Sequence, residues 1–306
     1  MRDGRPRRAA PIGLLLGAFL CMHGAAAPRA QEDSLAKAAP RDSLAKAAPP
    51  AATASPPDGA AALPDTVDLA PYLAAREARY AKVPWKIGEY FQFSIDWSGL
   101  NGGSALMQVQ NIQTVDGHRA WRIVTKAESN SFVSKFYKVR DRAESFIDAE
   151  SLFTRRFEKH LREGGYKKDL LVRFDQANRK AHYDNGKSVD VPPQVHDVLS
   201  AFYYTRTQPL PEGAMLTLPT HDNEKSYDMI VRVVKRERIE VPAGKFDCVM
   251  VEPVLKSEGI FKSKGQMFVW LTDDERRIPV LVKSKVAIGS ISVSLTDMRL
   301  AFVGKR

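Results

Sequence analysis

An alternating stretch runs from Phe91 to Trp97 with the sequence FQFSIDW, and its apolar residues occupy every second position. Because successive side chains of an extended strand point to opposite faces, this pattern predicts a β-strand with one apolar and one polar face. The stretch from Ser290 to Thr296, SISVSLT, repeats the arrangement near the other end of the chain. The same period recurs between Gly88 and Met298, and it predicts a large antiparallel β-structure.

Alternating runs predict about twelve strands, the last of which is expected to be a hairpin. The runs cover residues 88–97, 103–112, 119–128, 138–148, 152–162, 166–174, 178–183, 214–220, 227–240, 245–256, 265–272 and 279–300. Asp184-Asn185-Gly186 and Asp116-Gly117 separate neighbouring runs. We expect type I′ hairpin turns there, because Asn, Asp and Gly tolerate positive φ angles.

One segment departs from the period of two. After Pro192-Pro193, apolar residues fall at helical spacing at Val195, Leu199, Phe202 and Tyr203. This spacing predicts a short amphipathic helix over residues 195–206.

The sequence also indicates an internal duplication. At a shift of 125 residues, similar residues coincide in consistent order, at Gly88/Gly213, Trp121/Phe246, Asp148/Asp273, Glu150/Glu275 and Gly164/Gly289. In this arrangement, the predicted helix connects two β-halves that close on one another.

A wide sheet with one apolar face must cover that face. We therefore predict an all-β fold: a single large antiparallel β-barrel or half-barrel of about twelve strands with one or two short helices. Side chains fill a barrel of about eight strands, whereas a wider one leaves space for a helix, loops or a ligand. The sequence leaves open whether the helix at 195–206 and bulky side chains fill the interior or whether a ligand cavity exists.

The first 27 residues have the three parts of a secretory signal: a basic n-region, an apolar stretch from Ile12 to Met22 and small residues from Gly24 to Ala27. We expect cleavage near residues 26–30 and a periplasmic location. Cleavage removes Cys21 and leaves Cys248 as the only cysteine, so no intramolecular disulfide can form. Cys248 lies in an alternating run and is predicted to be a buried, inert thiol.

The basic charge of the chain limits its partners. The formal charge of +10 falls to +7 when the signal, with four arginines and one aspartate, is removed. Export excludes nucleic acid as a partner and leaves anionic lipid, lipopolysaccharide, peptidoglycan or solubility as the meaning of the charge.

A tether is expected between the signal and the folded domain. Residues 28–65 are rich in Ala and Pro and repeat the sequence DSLAKAAP at 33–40 and 42–49, which is typical of a flexible segment. A short helix is predicted from Val67 to Ala81. The predicted organisation is a signal peptide over 1–27, a tether with this helix over 28–83 and a β domain over 84–306.

No motif indicates an enzyme, a metal site or a cofactor, and no catalytic residue is predicted. Five histidines outside the signal are scattered without metal-ligand spacing: His118, His160, His182, His196 and His221. We interpret His221-Asp222-Asn223-Glu224 as a solvated hairpin loop. His196-Asp197 is interpreted as a helix start, where capping explains the polar pair.

Three stretches resemble a known family: DVLSAFYYTR over 197–206, VPAGKFDC over 241–248 and WLTDDERRIPV over 270–280, which runs on into Gly289. Together they resemble the bacterial exported family called domain of unknown function 3108, DUF3108, over about residues 85–300. The resemblance implies an envelope β-protein, similar in general form to periplasmic lipid-carrier half-barrels, and it implies no activity, cofactor or site residues.

Three arginines in these stretches are candidates for binding an anionic headgroup: Arg206, Arg276 and Arg277. Pairing of these arginines with Asp197, Asp273 or Asp274 is the favoured interpretation.

Two functions remain open. The leading hypothesis is a noncatalytic, monomeric periplasmic protein that binds an apolar or lipid-like ligand, including a lipopolysaccharide-like one, at residues that the sequence does not identify. The alternative is a scaffold that holds an envelope protein or peptidoglycan. An enzyme is the least favoured class and would require a cleft that gathers His182, His196 or His221 with carboxylates.

Overall fold

A computed structural model describes residues 82–256, 266–285 and 289–300, all within one compact unit. The predicted signal peptide, the Ala/Pro-rich segment and the predicted helix over Val67–Ala81 lie outside the described residues. The described strands are β1 (Tyr90–Trp97), β2 (Leu100–Val115), β3 (His118–Ser129), β4 (Arg140–Asp148), β5 (Thr154–Glu163), β6 (Tyr166–Asp175), β7 (Lys180–Tyr183), β8 (Ser188–Asp190), β9 (Met215–Asp222), β10 (Lys225–Val241), β11 (Gly244–Lys256), β12 (Met267–Thr272), β13 (Pro279–Lys285) and β14 (Ser290–Arg299). A 3-10 helix spans Val133–Lys135, and helix α1 spans Val198–Arg206.

All these strands form one open antiparallel sheet made of two meanders. The first meander runs from β1 to β8, the second from β9 to β14, and β1 pairs with β14 where the two meet. The predicted all-β barrel-like fold is therefore confirmed, including the hairpin at 279–300. The sequence missed β8, because three residues are too few to show a period of two. Within the described residues, no helix is both long and apolar enough to cross a membrane.

The two hairpin turns differ from one another. Asp116 and Gly117 have φ angles of 48° and 81°, so the predicted type I′ turn is confirmed there. In the second turn Gly186 has a positive φ of 82°, but Asn185 does not, and the Gly186 amide donates to the carbonyl of Tyr183 at 3.0 Å. The type I′ prediction is wrong at this hairpin, because a three-residue loop needs only its last residue in the left-handed region.

The two meanders share local architecture at nearly the shift seen in the sequence. The Gly88 amide donates to the carbonyl of Val109 at 2.9 Å, and the Gly213 amide donates to the carbonyl of Val233 at 3.0 Å. Leu152 and Arg277, also 125 residues apart, both have a positive φ, at 63° and 49°. Strands β1–β6 thus correspond to β9–β14, and β7, β8 and α1 connect the two sets.

Some strands are buried on both faces, which the alternation did not predict. Cys248, Val249, Met250 and Val251 are consecutive residues of β11, and all four are buried. The even-numbered pair packs in one core cluster and the odd-numbered pair in another. The expectation of a single apolar face is therefore wrong for β11, because the curved sheet places a layer of side chains on each side of this strand.

Helix α1 lies inside the fold. Seven of its nine residues are buried, whereas a surface helix buries only a stripe along one side. Leu199, Ala201 and Tyr203 belong to three different core clusters, so the helix joins all three. The helix therefore lies in the interior, which is one of the two possibilities that the sequence left open, and it begins at Val198 rather than at residue 195.

Candidate ligand-binding site

The amino end of α1 is fixed by the carboxylate of Asp197. Its Oδ1 accepts hydrogen bonds from the amides of Leu199, at 2.7 Å, and Ser200, at 3.1 Å, as an N-cap does. Its Oδ2 accepts from the hydroxyls of Ser145 on β4, at 2.6 Å, and Thr154 on β5, at 2.7 Å. Burial raises the pKa of Asp197 against the opposing effect of these bonds. The predicted capping role is confirmed.

The carboxyl end of α1 is fixed by a buried ion pair. The two terminal guanidinium nitrogens of Arg206 donate to the carboxylate of Glu89, at 2.8 and 2.9 Å, and one of them also donates to the carbonyl of Arg276 at 3.0 Å. The predicted pairing of Arg206 with an aspartate is wrong, because Asp197 lies at the opposite end of the helix. Arg277 does pair with Asp273, at 2.9 Å, as expected. Arg206 therefore faces the core and is not exposed to a ligand at the rim.

An apolar gap of about 60 Å³ lies between α1 and the facing strands β10, β11 and β12. It is lined by Val198, Leu199, Phe202, Thr205, Met229, Val231, Val251, Pro253, Met267, Val269 and Leu271. Thr205 is the single hydroxyl among these residues, and it donates to the carbonyl of Ala201 at 2.9 Å. The lining side chains therefore offer a ligand apolar contacts and no free polar group.

The size of the gap limits what it can hold without rearrangement. It exceeds the roughly 10–15 Å³ that one water molecule needs, but it is smaller than the roughly 150 Å³ cavity that admits benzene in a well-studied protein. Two methionines, Met229 and Met267, line it, and methionine side chains adapt easily to new shapes. A chain-like apolar ligand would enter by displacing these side chains.

A polar seam closes the sheet where its free edges approach each other. On β9, His221 Nε2 lies 2.6 Å from the Tyr183 hydroxyl of β7, and Asp222 accepts from Lys159 of β5 at 2.8 Å. Lys187 and Glu224 form a further ion pair across the seam. One buried ion pair, one exposed ion pair and a side-chain hydrogen bond thus join the two meanders here.

This seam corrects one interpretation of the sequence. Asn223 and Glu224 do form the turn between β9 and β10, but His221 and Asp222 are only 2% and 3% exposed. The interpretation as a solvated loop is therefore wrong for these two residues, because the sheet curls and covers them. Local sequence could not show which strands would meet there.

The histidines do not gather into a catalytic cleft among the described residues. His196 and His221 lie on adjacent segments, and burial lowers the pKa of each imidazole to about 4. Each ring contacts a hydroxyl, Ser200 at 3.2 Å for His196 and Ser226 at 2.8 Å for His221. His182 is exposed on β7. The buried rings of His196 and His221 are therefore neutral at pH 7, and their contacts are structural.

Cys248 and the remaining histidines have structural surroundings. Cys248 is buried as predicted, and burial raises the pKa of its thiol to about 12. His160 lies 2.8 Å from Asp169, and His118 lies 3.7 Å from Asp148. Across the described ranges, no three His, Cys, Asp or Glu side chains are placed to hold a metal ion.

The sequence did not predict the burial of two carboxyl groups. Asp141 at the start of β4 and Glu163 at the end of β5 are 2% and 7% exposed. Burial and the neighbouring Asp141 charge raise the pKa of Glu163 to about 7, and burial also raises that of Asp141. The alternation does give a signal, because Asp141 shares a strand face with buried Ala143 and Ser145.

Comparisons with known proteins identify a family. The model of a family described as a protein of unknown function, DUF3108, matches residues 92–296. A comparison with curated proteins finds no match.

Three solved structures are similar in fold only. A β-barrel-like protein of the DUF1849 domain from Brucella abortus is 10% identical, with a TM-score of 0.48 and coverage of 71% of this chain and 99% of that one. A protein from Parabacteroides distasonis, provisionally described as a lipoprotein, is 13% identical, with a TM-score of 0.33 and coverage of 71% of this chain and 98% of that one. A protein from Bacteroides fragilis, provisionally described as exported with a YmcC-like fold, has the same identity and coverage and a TM-score of 0.35.

Proposed function

This chain belongs to the DUF3108 family of proteins of unknown function, and we propose that it is a noncatalytic periplasmic protein that binds an apolar, lipid-like ligand. The observation that supports this proposal is the apolar gap between α1 and β10–β12. Ligand sites in β-folds are mostly apolar pockets, and here an interior helix has left one side incompletely packed. The signal-like composition of residues 1–27 supports the periplasmic location.

The buried polar groups favour binding over catalysis. Asp197 caps α1, Arg206 pairs with Glu89, and Lys159 pairs with Asp222. A catalytic acid or base must reach a substrate, whereas these groups are directed at other parts of the fold. Their partners explain their burial without a reaction.

A tryptophan scan with a matched control tests the proposal. In Met267→Trp, the larger side chain fills the gap, whereas Met215→Trp adds the same group at a 68% exposed position on β9. We expect the wild-type protein to bind the fluorescent fatty acid cis-parinaric acid saturably, M267W to bind it at least about tenfold more weakly, and M215W to be unchanged. Equal binding by M267W and the wild type would place the ligand elsewhere.

Lipid extraction separates this function from the alternative scaffold. Protein purified from its own envelope should carry lipid that native mass spectrometry detects. No saturable probe binding and no bound lipid, together with one protein partner recovered by crosslinking in cells, would refute ligand binding and support a scaffold.

A further inference from the structure

Four large apolar side chains are exposed on one rim of the sheet. Leu100, Phe132, Phe136 and Tyr166 are 75%, 68%, 78% and 52% exposed. They lie in or beside the β1–β2, β3–β4 and β5–β6 connections, which share a rim because these neighbouring strands are antiparallel. We call these four residues the aromatic rim. Single exposed apolar residues are common, but a group confined to one rim indicates an interaction surface.

Hydrogen bonds fix the conformation of the β3–β4 connection, which exposes two phenylalanines. Asn130 Oδ1 accepts from the amide of Val133 at 2.9 Å, and Asn130 Nδ2 donates to the carbonyl of Asn101 at 2.7 Å. The rings of Phe132 and Phe136 contact each other edge to face, with centroids 5.7 Å apart. The exposure of the pair is therefore a property of an ordered loop.

Hydrogen bonds also join this loop to the connections on either side. The bond from Asn130 to Asn101 reaches the β1–β2 hairpin beside Leu100. The Gly164 amide donates to the carbonyl of Lys138 at 2.8 Å, which fixes the β5–β6 turn beside Tyr166. Hydrogen bonds therefore hold the three connections next to one another on this rim.

Basic residues surround the aromatic rim. Lys135, Lys138 and Lys167 are exposed in the same connections, and none forms a salt bridge within the described part of the chain. Residues 98–101, 129–139 and 164–167 contain no Asp or Glu. The surface thus combines aromatic rings with three lysines that have no ion-pair partner among the described residues, and Asp96 and Glu128 lie at its border.

We propose that the aromatic rim docks on an anionic lipid bilayer. Aromatic side chains favour the headgroup region, and lysines beside them bring their ammonium groups to lipid phosphates while their stems cover apolar surface. Lysine is depleted from the cores of protein interfaces, so three lysines among the rings favour a membrane over a protein partner. Anionic headgroups attract the basic residues and add to the apolar contact.

The position of the apolar gap is consistent with this docking. Pro253 and Met267 line the gap close to where β11 ends and β12 begins, and these strand ends lie on the same rim as the aromatic residues. A protein docked in this way would turn the gap toward the bilayer. The docking surface itself does not depend on the gap, and it would exist even if no ligand bound there.

Vesicle sedimentation with the full exported chain tests the proposal. We expect the wild type to bind vesicles containing about 30% phosphatidylglycerol in phosphatidylcholine, with weaker binding at high salt and on pure phosphatidylcholine. Phe132→Ser/Phe136→Ser should weaken binding by about tenfold or more, because the apolar contact is lost. Ile87→Ser/Met215→Ser, which changes two exposed apolar residues at the other rim, should bind as the wild type does.

A charge reversal provides the second comparison. Lys135→Glu/Lys138→Glu should reduce binding by about tenfold, whereas Arg238→Glu/Lys245→Glu, on the rim at which β10 ends and β11 begins, should leave it unchanged.

Two results would overturn docking. One is no binding of the wild type to anionic vesicles. The other is binding that none of the rim variants reduces. A dimer in analytical ultracentrifugation that F132S/F136S dissociates, without vesicle binding, would assign the surface to a second copy of the chain. Binding of cis-parinaric acid without vesicles is measured separately, so failure of docking and failure of ligand binding are distinguishable.

Discussion

The ion pair between Arg206 and Glu89 should contribute strongly to stability when only one partner is removed. The Arg206 side chain is fully buried and the Glu89 side chain is 4% exposed. The guanidinium also lies 4.9 Å from the ring centre of Tyr203 and 5.6 Å from those of Trp85 and Phe91. Arg206→Met leaves the carboxylate buried without its cation, which we expect to cost about 3–5 kcal/mol of unfolding free energy.

The size of the predicted loss allows a decisive assay. For a domain of this size, such a loss lowers the melting temperature by roughly 10 °C, and urea unfolding followed by circular dichroism gives the free energy directly. The double variant Glu89→Leu/Arg206→Met should be more stable than the sum of the single effects by about 2 kcal/mol or more, because neither charge stays unpaired. Arg232→Met, which removes a pair with Glu252 from a 53% exposed side chain, should cost under about 1 kcal/mol.

Two outcomes would refute this reasoning. One is an R206M variant within about 1 kcal/mol of the wild type, and the other is strict additivity in the double variant. Either would mean that the helix end opens to solvent and does not remain inside the fold.

Three further predictions concern other buried groups. The raised pKa of Glu163 stabilises the fold at low pH, and this stabilisation is lost as the pH rises from 4.5 through about 7. The unfolding free energy of Glu163→Gln should therefore rise by on the order of 2–3 kcal/mol relative to that of the wild type between about pH 4 and pH 8. The same difference between the two proteins in urea unfolding at every pH would contradict this. Asp197→Ala should lower the unfolding free energy by about 2–4 kcal/mol in thermal unfolding, because the helix cap is lost and two buried hydroxyl groups lose their acceptor. A change under about 1 kcal/mol would show that α1 needs no cap. Gly164→Ala should cost about 1–2 kcal/mol in urea unfolding, because φ is +57° and the new Cβ would lie 2.8 Å from the Tyr137 ring. An unchanged midpoint would mean that neither the positive φ nor the ring contact penalises alanine at this position.

The internal repeat gives the interior helix a structural explanation. Six strands of each meander correspond, and the segment from β7 through α1 has no counterpart. The buried helix α1 packs in the interior against core clusters contributed by both sets of strands. The apolar gap lies between this helix and β10–β12.

The sequence alone predicted the parts of the fold that local rules govern. Strand positions, the β13–β14 hairpin and the Asp197 cap depend on residues close together in the chain, and the structure confirms each of them. The type I′ turn at Asp116-Gly117 is local in the same sense. Periodicity identifies which residues face a core, because alternation is a property of a single strand.

The tertiary structure alone decided which residues meet across the interior. The partnership of Arg206 with Glu89, the burial of His221 and the apolar gap beside Met267 all join segments that are distant in sequence. The grouping of Phe132 with Leu100 on one rim likewise follows from strand order. These contacts depend on the curvature of the sheet, which decides which of its strands approach each other. Packing over the whole domain sets this curvature, so no single stretch of sequence encodes it.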